Sequence, residues 1–147
     1  MSANEFLNEE GAEDPQKSQK DSREENDFSR EIIGAAVEVQ RVLGTGLLES
    51  AYAAALAIEL AERELGFAQQ VAISGSYKGR TLGAAFCADF VIEQSVIVEI
   101  KAIETTTDLH RAQLLSYLRL SGLKLGLLIN FHVFPVVKGV YRIVNKL

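Results

Sequence analysis

From Phe28 onward, Ile32, Ile33, Ala36, Val37, Gln40 and Leu43 recur at a 3.6-residue period behind Ser29, which can cap a helix. Gly44-Thr45-Gly46 ends that run. A second helix, dense in Ala, Leu and Glu, is expected from about Leu48 to Leu65, with Gly66 as its terminator. Beyond Gly66 the rhythm changes to β-branched and aromatic runs over Gln69–Tyr77, Arg80–Glu93 and Ser95–Ile103, with turns at Lys78-Gly79 and Glu93-Gln94. A third helix is expected over Asp108–Leu120, stopped by Ser121-Gly122. Lys124–Phe131 then reads as a buried strand that runs towards Pro135, and Gly139–Val144 as a short edge strand. The order predicts an α/β fold: a three-layer α/β/α arrangement with a mixed central sheet.

The stretch before Phe28 has no such rhythm. Residues 1–27 hold nine acidic and three basic side chains and almost no large apolar ones, so they are expected to form a disordered acidic tail, with one domain over 28–147. The formal charge of −5 is concentrated there; the remainder carries 11 acidic and 12 basic residues, a balance that neither requires nor forbids a polyanionic substrate. A hydrophobic fraction of 48% with 24% charged residues describes a soluble globular chain. Cys87 is alone and no leader of signal-peptide form opens the chain, so the expected compartment is cytoplasmic. The longest apolar runs, Gly83–Ala88 and Leu125–Ile129, are far shorter than the roughly 20 residues of a membrane helix.

Candidate chemistry lies in the strands. Alternation puts Glu99 and Lys101 on one face with Ile97 and Ile103, so the charged pair has an apolar frame. One strand earlier, Asp89 interrupts the run Ala84–Ile92, and a tight turn at Glu93-Gln94 brings it opposite Val98 or Glu99. Two carboxylates so close repel unless a cation separates them, and oxygen donors of this kind select Mg²⁺ or Mn²⁺. Lys101 would orient or activate a water, or stabilise charge building on phosphate oxygens. The rival readings are a solvated Glu-x-Lys face and a plain Asp89–Lys101 ion pair.

Gly46-x-x-Glu49-x-x-Tyr52 places Glu49 in the first turn of the second helix, with Tyr52 on the same face; a dipole-stabilised first-turn acid is the bland alternative. His110, Gln113 and Tyr117 form one polar stripe on the third helix, suited to lining a cleft. Lys78, Arg80, Arg111, Arg119 and Lys124 are the basic residues available to phosphate, with solvated surface charge as the competing explanation.

Gly46-x-x-Glu49-x-x-Tyr52, Asp89, Glu99-x-Lys101 and Gln113-x-x-x-Tyr117, in this order, resemble the GxxExxY protein family of the PD-(D/E)XK nuclease superfamily, from about Phe28 to the C-terminus. The resemblance implies a restriction-endonuclease-like core. Asp89, Glu99 and the Ile100 carbonyl would hold Mg²⁺ or Mn²⁺, Glu49 would complete the site, and Lys101 would serve the nucleophilic water. Tyr52, His110, Gln113 and Tyr117 would support the site or contact substrate. Gln40, Thr45 and Cys87 depart from that family's pattern, which more often has His, Pro and Arg there. The expected activity is hydrolysis of nucleic-acid phosphodiesters, DNA first. A non-catalytic binding protein on the same fold and a small-phosphoester hydrolase stay open, as does a homodimer paired through the C-terminal strand.

Overall fold

The computed structural model describes residues 15–146, with side chains from Phe28 to Lys146. The expected tail lies outside the described residues as far as Asp14. Helix α1 spans Pro15–Leu43 and so begins well before the expected start. Ser29 is a buried interior residue of this helix rather than its cap. The Gln, Lys, Arg and Glu content of residues 16–26 explains the extension, because these straight-chain residues lose little rotamer freedom in a helix.

Helix α2 (Glu49–Glu62) also ends earlier than Gly66. Glu64 takes the left-handed conformation at φ 61, and the N–H groups of Glu64 and Leu65 close on the carbonyls of Ala61 and Leu60 at 3.0 Å each. Gly66 instead pairs with Glu93, donating to its Oε2 at 2.6 Å and accepting from its N–H at 2.8 Å. This contact ties the end of the helical layer to the second hairpin turn.

The strands follow the sequence closely: β1 (Phe67–Tyr77), β2 (Arg80–Ile92), β3 (Val96–Lys101), β4 (Leu125–Asn130) and β5 (Val140–Val144). They form a five-stranded sheet in the order β1-β2-β3-β4-β5, so β1 and β5 are its edges. Neighbours are antiparallel except β3 and β4, which run parallel and are joined through α3 (Asp108–Ser121). Thr107 and His110 form a reciprocal cap at the start of α3, and Gly122 at φ 77 ends it where expected.

Alternation along the strands divides the core in two. Ile32, Val39, Tyr52, Leu56 and Leu60 from α1 and α2 pack against Phe90, Val98, Ile100, Leu127 and Ile129 on one face. Leu114 and Leu118 from α3 pack against Ala88, Ile97 and Leu128 on the other. The helix sits so close to β4 that a Cβ at Gly126 would meet Leu114 at 3.0 Å. The result is the restriction-endonuclease-like α/β arrangement expected from the sequence. No helix among the described residues is long and apolar enough to cross a membrane.

The β2–β3 turn holds Glu93 and Gln94 at φ 52 and 55, the twisted form that suits a two-residue hairpin but crowds a Cβ. Gln94 is exposed. Gln94→Gly is therefore expected to stabilise the protein by about 0.5–1 kcal/mol, the relieved strain slightly outweighing the freedom glycine gains in the unfolded chain. Thermal melts should show a rise of a few degrees.

Candidate functional site

The site forms where two paired strands part. Between β2 and β3 the ladder runs through Ile92↔Val96, Val91↔Ile97 and Phe90↔Val98, and then ends. At the next position the side chains take over from the main chain. The Asp89 N–H donates to Glu99 Oε2 at 3.1 Å, and the Ile100 N–H donates to Asp89 Oδ2 at 2.8 Å. Each carboxylate thus satisfies the backbone of the opposite strand, as a ladder carbonyl otherwise would. The alternation of β2 also breaks here, since Ala88 joins the α3 side of the core and Phe90 the other. Opposite, on β1, Gln70 at φ 53 is skipped by the ladder, which pairs Gln69 with Phe90 and Val71 with Ala88.

This interlock replaces the simpler reading of an Asp89–Lys101 ion pair: no such pair occurs among the described residues. Lys101 is half-buried, and its charge is felt at Glu99. Glu99 responds to its surroundings most strongly. Burial first, and then the Asp89 charge, push its carboxyl up to about 7, against the opposing pull of the Asp89 N–H and Lys101. Glu49, exposed in the first turn of α2, adds a further negative push. Tyr117 on α3 is raised as well, by burial and then by the charges of Glu99 and Asp89.

Glu49, Asp89, Glu99, Lys101 and Tyr117 are therefore in electrostatic contact, from four different elements. The remaining expected residues stand apart from this group. Tyr52 is fully buried: its hydroxyl donates to the Gly44 carbonyl at 2.7 Å and accepts from the Leu47 N–H at 3.3 Å, and its ring stacks on Phe131 at 4.6 Å. It shapes the turn that delivers Glu49. His110 Nδ1 accepts the Thr107 N–H at 3.0 Å, so that nitrogen serves the helix cap. Gln113 is exposed.

Two supporting residues, Asn130 and Phe86, were not singled out from the sequence, and the role of a third, Gln40, was not legible there. Asn130, buried at the end of β4 opposite Lys101, accepts from Ile103 N–H at 3.2 Å and His132 N–H at 3.1 Å and donates to the Ile103 carbonyl at 2.9 Å. It fixes the chain just after Lys101, and a lone amide closing an apolar strand was its signal. Phe86 stacks on Tyr117 at 3.6 Å, steadying that ring beside the carboxylates. Gln40, grouped by periodicity with apolar positions, is a polar clamp. Its amide donates to the carbonyls of Phe131 and Val133 at 3.0 and 2.7 Å and accepts from the Val136 N–H at 2.8 Å. Cys87 is exposed and donates to Gln70 Oε1 at 3.3 Å.

Among the described residues, no three His, Cys, Asp or Glu side chains close around a common point as a preformed metal cage. The Asp89–Glu99 pair nevertheless suits a hard divalent ion. Its donors are carboxylate oxygens, the kind such an ion prefers.

A mixed five-stranded sheet flanked by helices on both faces, opened beside a carboxylate pair, defines a restriction-endonuclease-like α/β protein. A family model of the PD-(D/E)XK nuclease superfamily matches residues 26–143, and the chain belongs to that superfamily. Nucleases of this class generally use divalent metal ions, and their substrates are nucleic acids. Searches of curated proteins and of solved structures give no match.

The Glu99 shift has a measurable sign. Its folded pKa of about 7 lies above the ordinary value of 4.5, so between those limits the folded chain holds a proton that the unfolded chain has lost. The Glu99 contribution is most favourable below pH 4.5 and is lost as pH rises through 7. Glu99→Gln should therefore melt above wild type at pH 8, with the difference shrinking towards pH 5. An equal offset at both values would rule out an elevated Glu99.

Proposed function

We propose that the chain is a magnesium- or manganese-dependent nuclease of the GxxExxY branch, hydrolysing DNA phosphodiesters. The observation that carries this reading is the interlocked pair Asp89–Glu99, with a Glu99 carboxyl near neutrality and Lys101 within reach of its charge. Two facing half-buried acids satisfy two backbone N–H groups but repel one another when both are charged. A pair that takes up a cation explains the arrangement.

In this reading Asp89, Glu99 and the Ile100 carbonyl would hold the ion, with Glu49 approaching from the start of α2. When bound, the ion would supply Lewis acidity towards a phosphoryl oxygen and make water nucleophilic near neutral pH. The protein's own groups do the rest. Lys101 Nζ donates to a non-bridging phosphate oxygen as negative charge accumulates there, and helps hold the attacking water in line with the leaving oxygen. The water oxygen bonds to phosphorus as the phosphorus–leaving oxygen bond breaks; the water gives up a proton to solvent and the leaving oxygen takes one up from solvent. Tyr117, braced by Phe86, walls the site and offers its hydroxyl to substrate. Tyr52, Asn130 and His110 act at one remove by fixing the turn before Glu49, the chain after Lys101 and the start of α3.

Calorimetric titration of Mn²⁺ and Mg²⁺ into the full chain tests this without a chosen substrate. Saturable binding should disappear in Asp89→Ala and Glu99→Ala and persist in Lys101→Ala. On duplex DNA, Lys101→Ala should lower the cleavage rate by about 10²-fold or more while leaving metal binding intact. Absence of metal binding, repeated with a non-hydrolysable duplex present, would instead favour a non-catalytic binding protein that keeps the fold.

A further inference from the structure

The β1–β2 hairpin is much longer than the sheet requires. β3 pairs with β2 only over Phe90–Ile92, so from Arg80 to Asp89 β2 has β1 as its sole strand partner. The two strands leave the sheet as a ribbon with shifts of register at Ile73/Ser74 and Gly75/Ser76, closed by Lys78 and Gly79 at φ 51 and 78. It packs along the helix that borders the site as far out as Gly75, the partner of Gly83. Phe86 stacks on Tyr117, and a Cβ at Gly75 would meet Leu120 at 2.9 Å.

The outer part of the ribbon is poor in large side chains and exposed throughout Arg80–Ala85. At its tip Tyr77 and Leu82 are 63% and 60% exposed, and the Lys78 ammonium lies 5.4 Å from the Tyr77 ring centre. No acidic residue occurs from Phe67 to Ala88, in a chain of net charge −5. Among the other basic candidates, Arg111 is already engaged with Asp108 at 2.7 Å and with the Tyr141 ring at 4.6 Å.

We infer that this ribbon is a DNA-gripping arm that enters the major groove of duplex DNA, with Lys78 and Arg80 on phosphates and Tyr77 and Leu82 against base edges. The inference rests on the nuclease reading and extends it to a duplex substrate. A two-stranded ribbon fits the roughly 12 Å major groove of B-form DNA, whereas the deep, narrow major groove of duplex RNA excludes it. From Phe86 to Arg80 the extended chain covers about 20 Å.

The test is fluorescence anisotropy of the full chain with a labelled duplex of about 20 base pairs across a salt series in EDTA, where cleavage cannot interfere. Wild type should prefer this duplex to the matching single strand and to duplex RNA. The double variant Lys78→Ala/Arg80→Ala should bind it roughly tenfold more weakly, with the slope of log affinity against log salt reduced by about 2. Its melting temperature should match wild type.

Wild-type affinity and slope in the double variant would overturn the inference. So would a preference for single strands or duplex RNA, or no binding by wild type. Cleavage of the same duplex with Mn²⁺ is scored separately. A wild type that cleaves while the double variant binds normally sinks the ribbon alone. A chain that grips through the ribbon yet never cleaves sinks the nuclease reading alone.

Discussion

The exchange of hydrogen bonds between Asp89 and Glu99 is the constraint around which the rest of the structure is arranged. A β-ladder leaves no room for a reacting group between its strands, so a site inside a sheet needs an opening whose backbone groups are still satisfied. Here the carboxylates provide that satisfaction themselves, each capping an N–H on the opposite strand. Burial of Glu99 first, and then the Asp89 charge set against it, raise the Glu99 carboxyl. The same contacts therefore hold the opening together and bring two carboxylates face to face.

The surrounding elements act as a frame for this opening. The second helical layer brings Glu49 in from one side through a turn held by Tyr52, and α3 brings Tyr117 in from the other with its ring fixed by Phe86. Asn130 secures the chain as it leaves Lys101. Most of these supports bond to main-chain groups or aromatic faces rather than to the carboxylates. The charge is thus concentrated in a few side chains while the rigidity comes from neutral ones.

The strands were legible because their alternation and turn signals are local. β2 and β4, for example, fall within a residue of the ranges expected from the sequence. The superfamily was legible because Asp89 and Glu99-x-Lys101 are charges in apolar surroundings, which demand an explanation. Helix ends were less so. Glu64 in a left-handed cap and the early start of α1 depend on tertiary context and on polar residues whose helical preference is weak evidence alone. Gln40 was misplaced for a related reason. Periodicity shows that a position faces inward, but not that the partners waiting there are three backbone groups of a distant loop.

Tyr52 shows what this division of labour means for inheritance. Its ring is sealed between α2 and Phe131, and its hydroxyl never meets solvent, yet it fixes the backbone just ahead of Glu49. Selection acting on such a residue would look, in any survey of tolerated changes, like selection on a reacting group. A buried phenol can thus be as constrained over time as the exposed acid beside it, and sequence signatures of this kind record scaffolding together with charge.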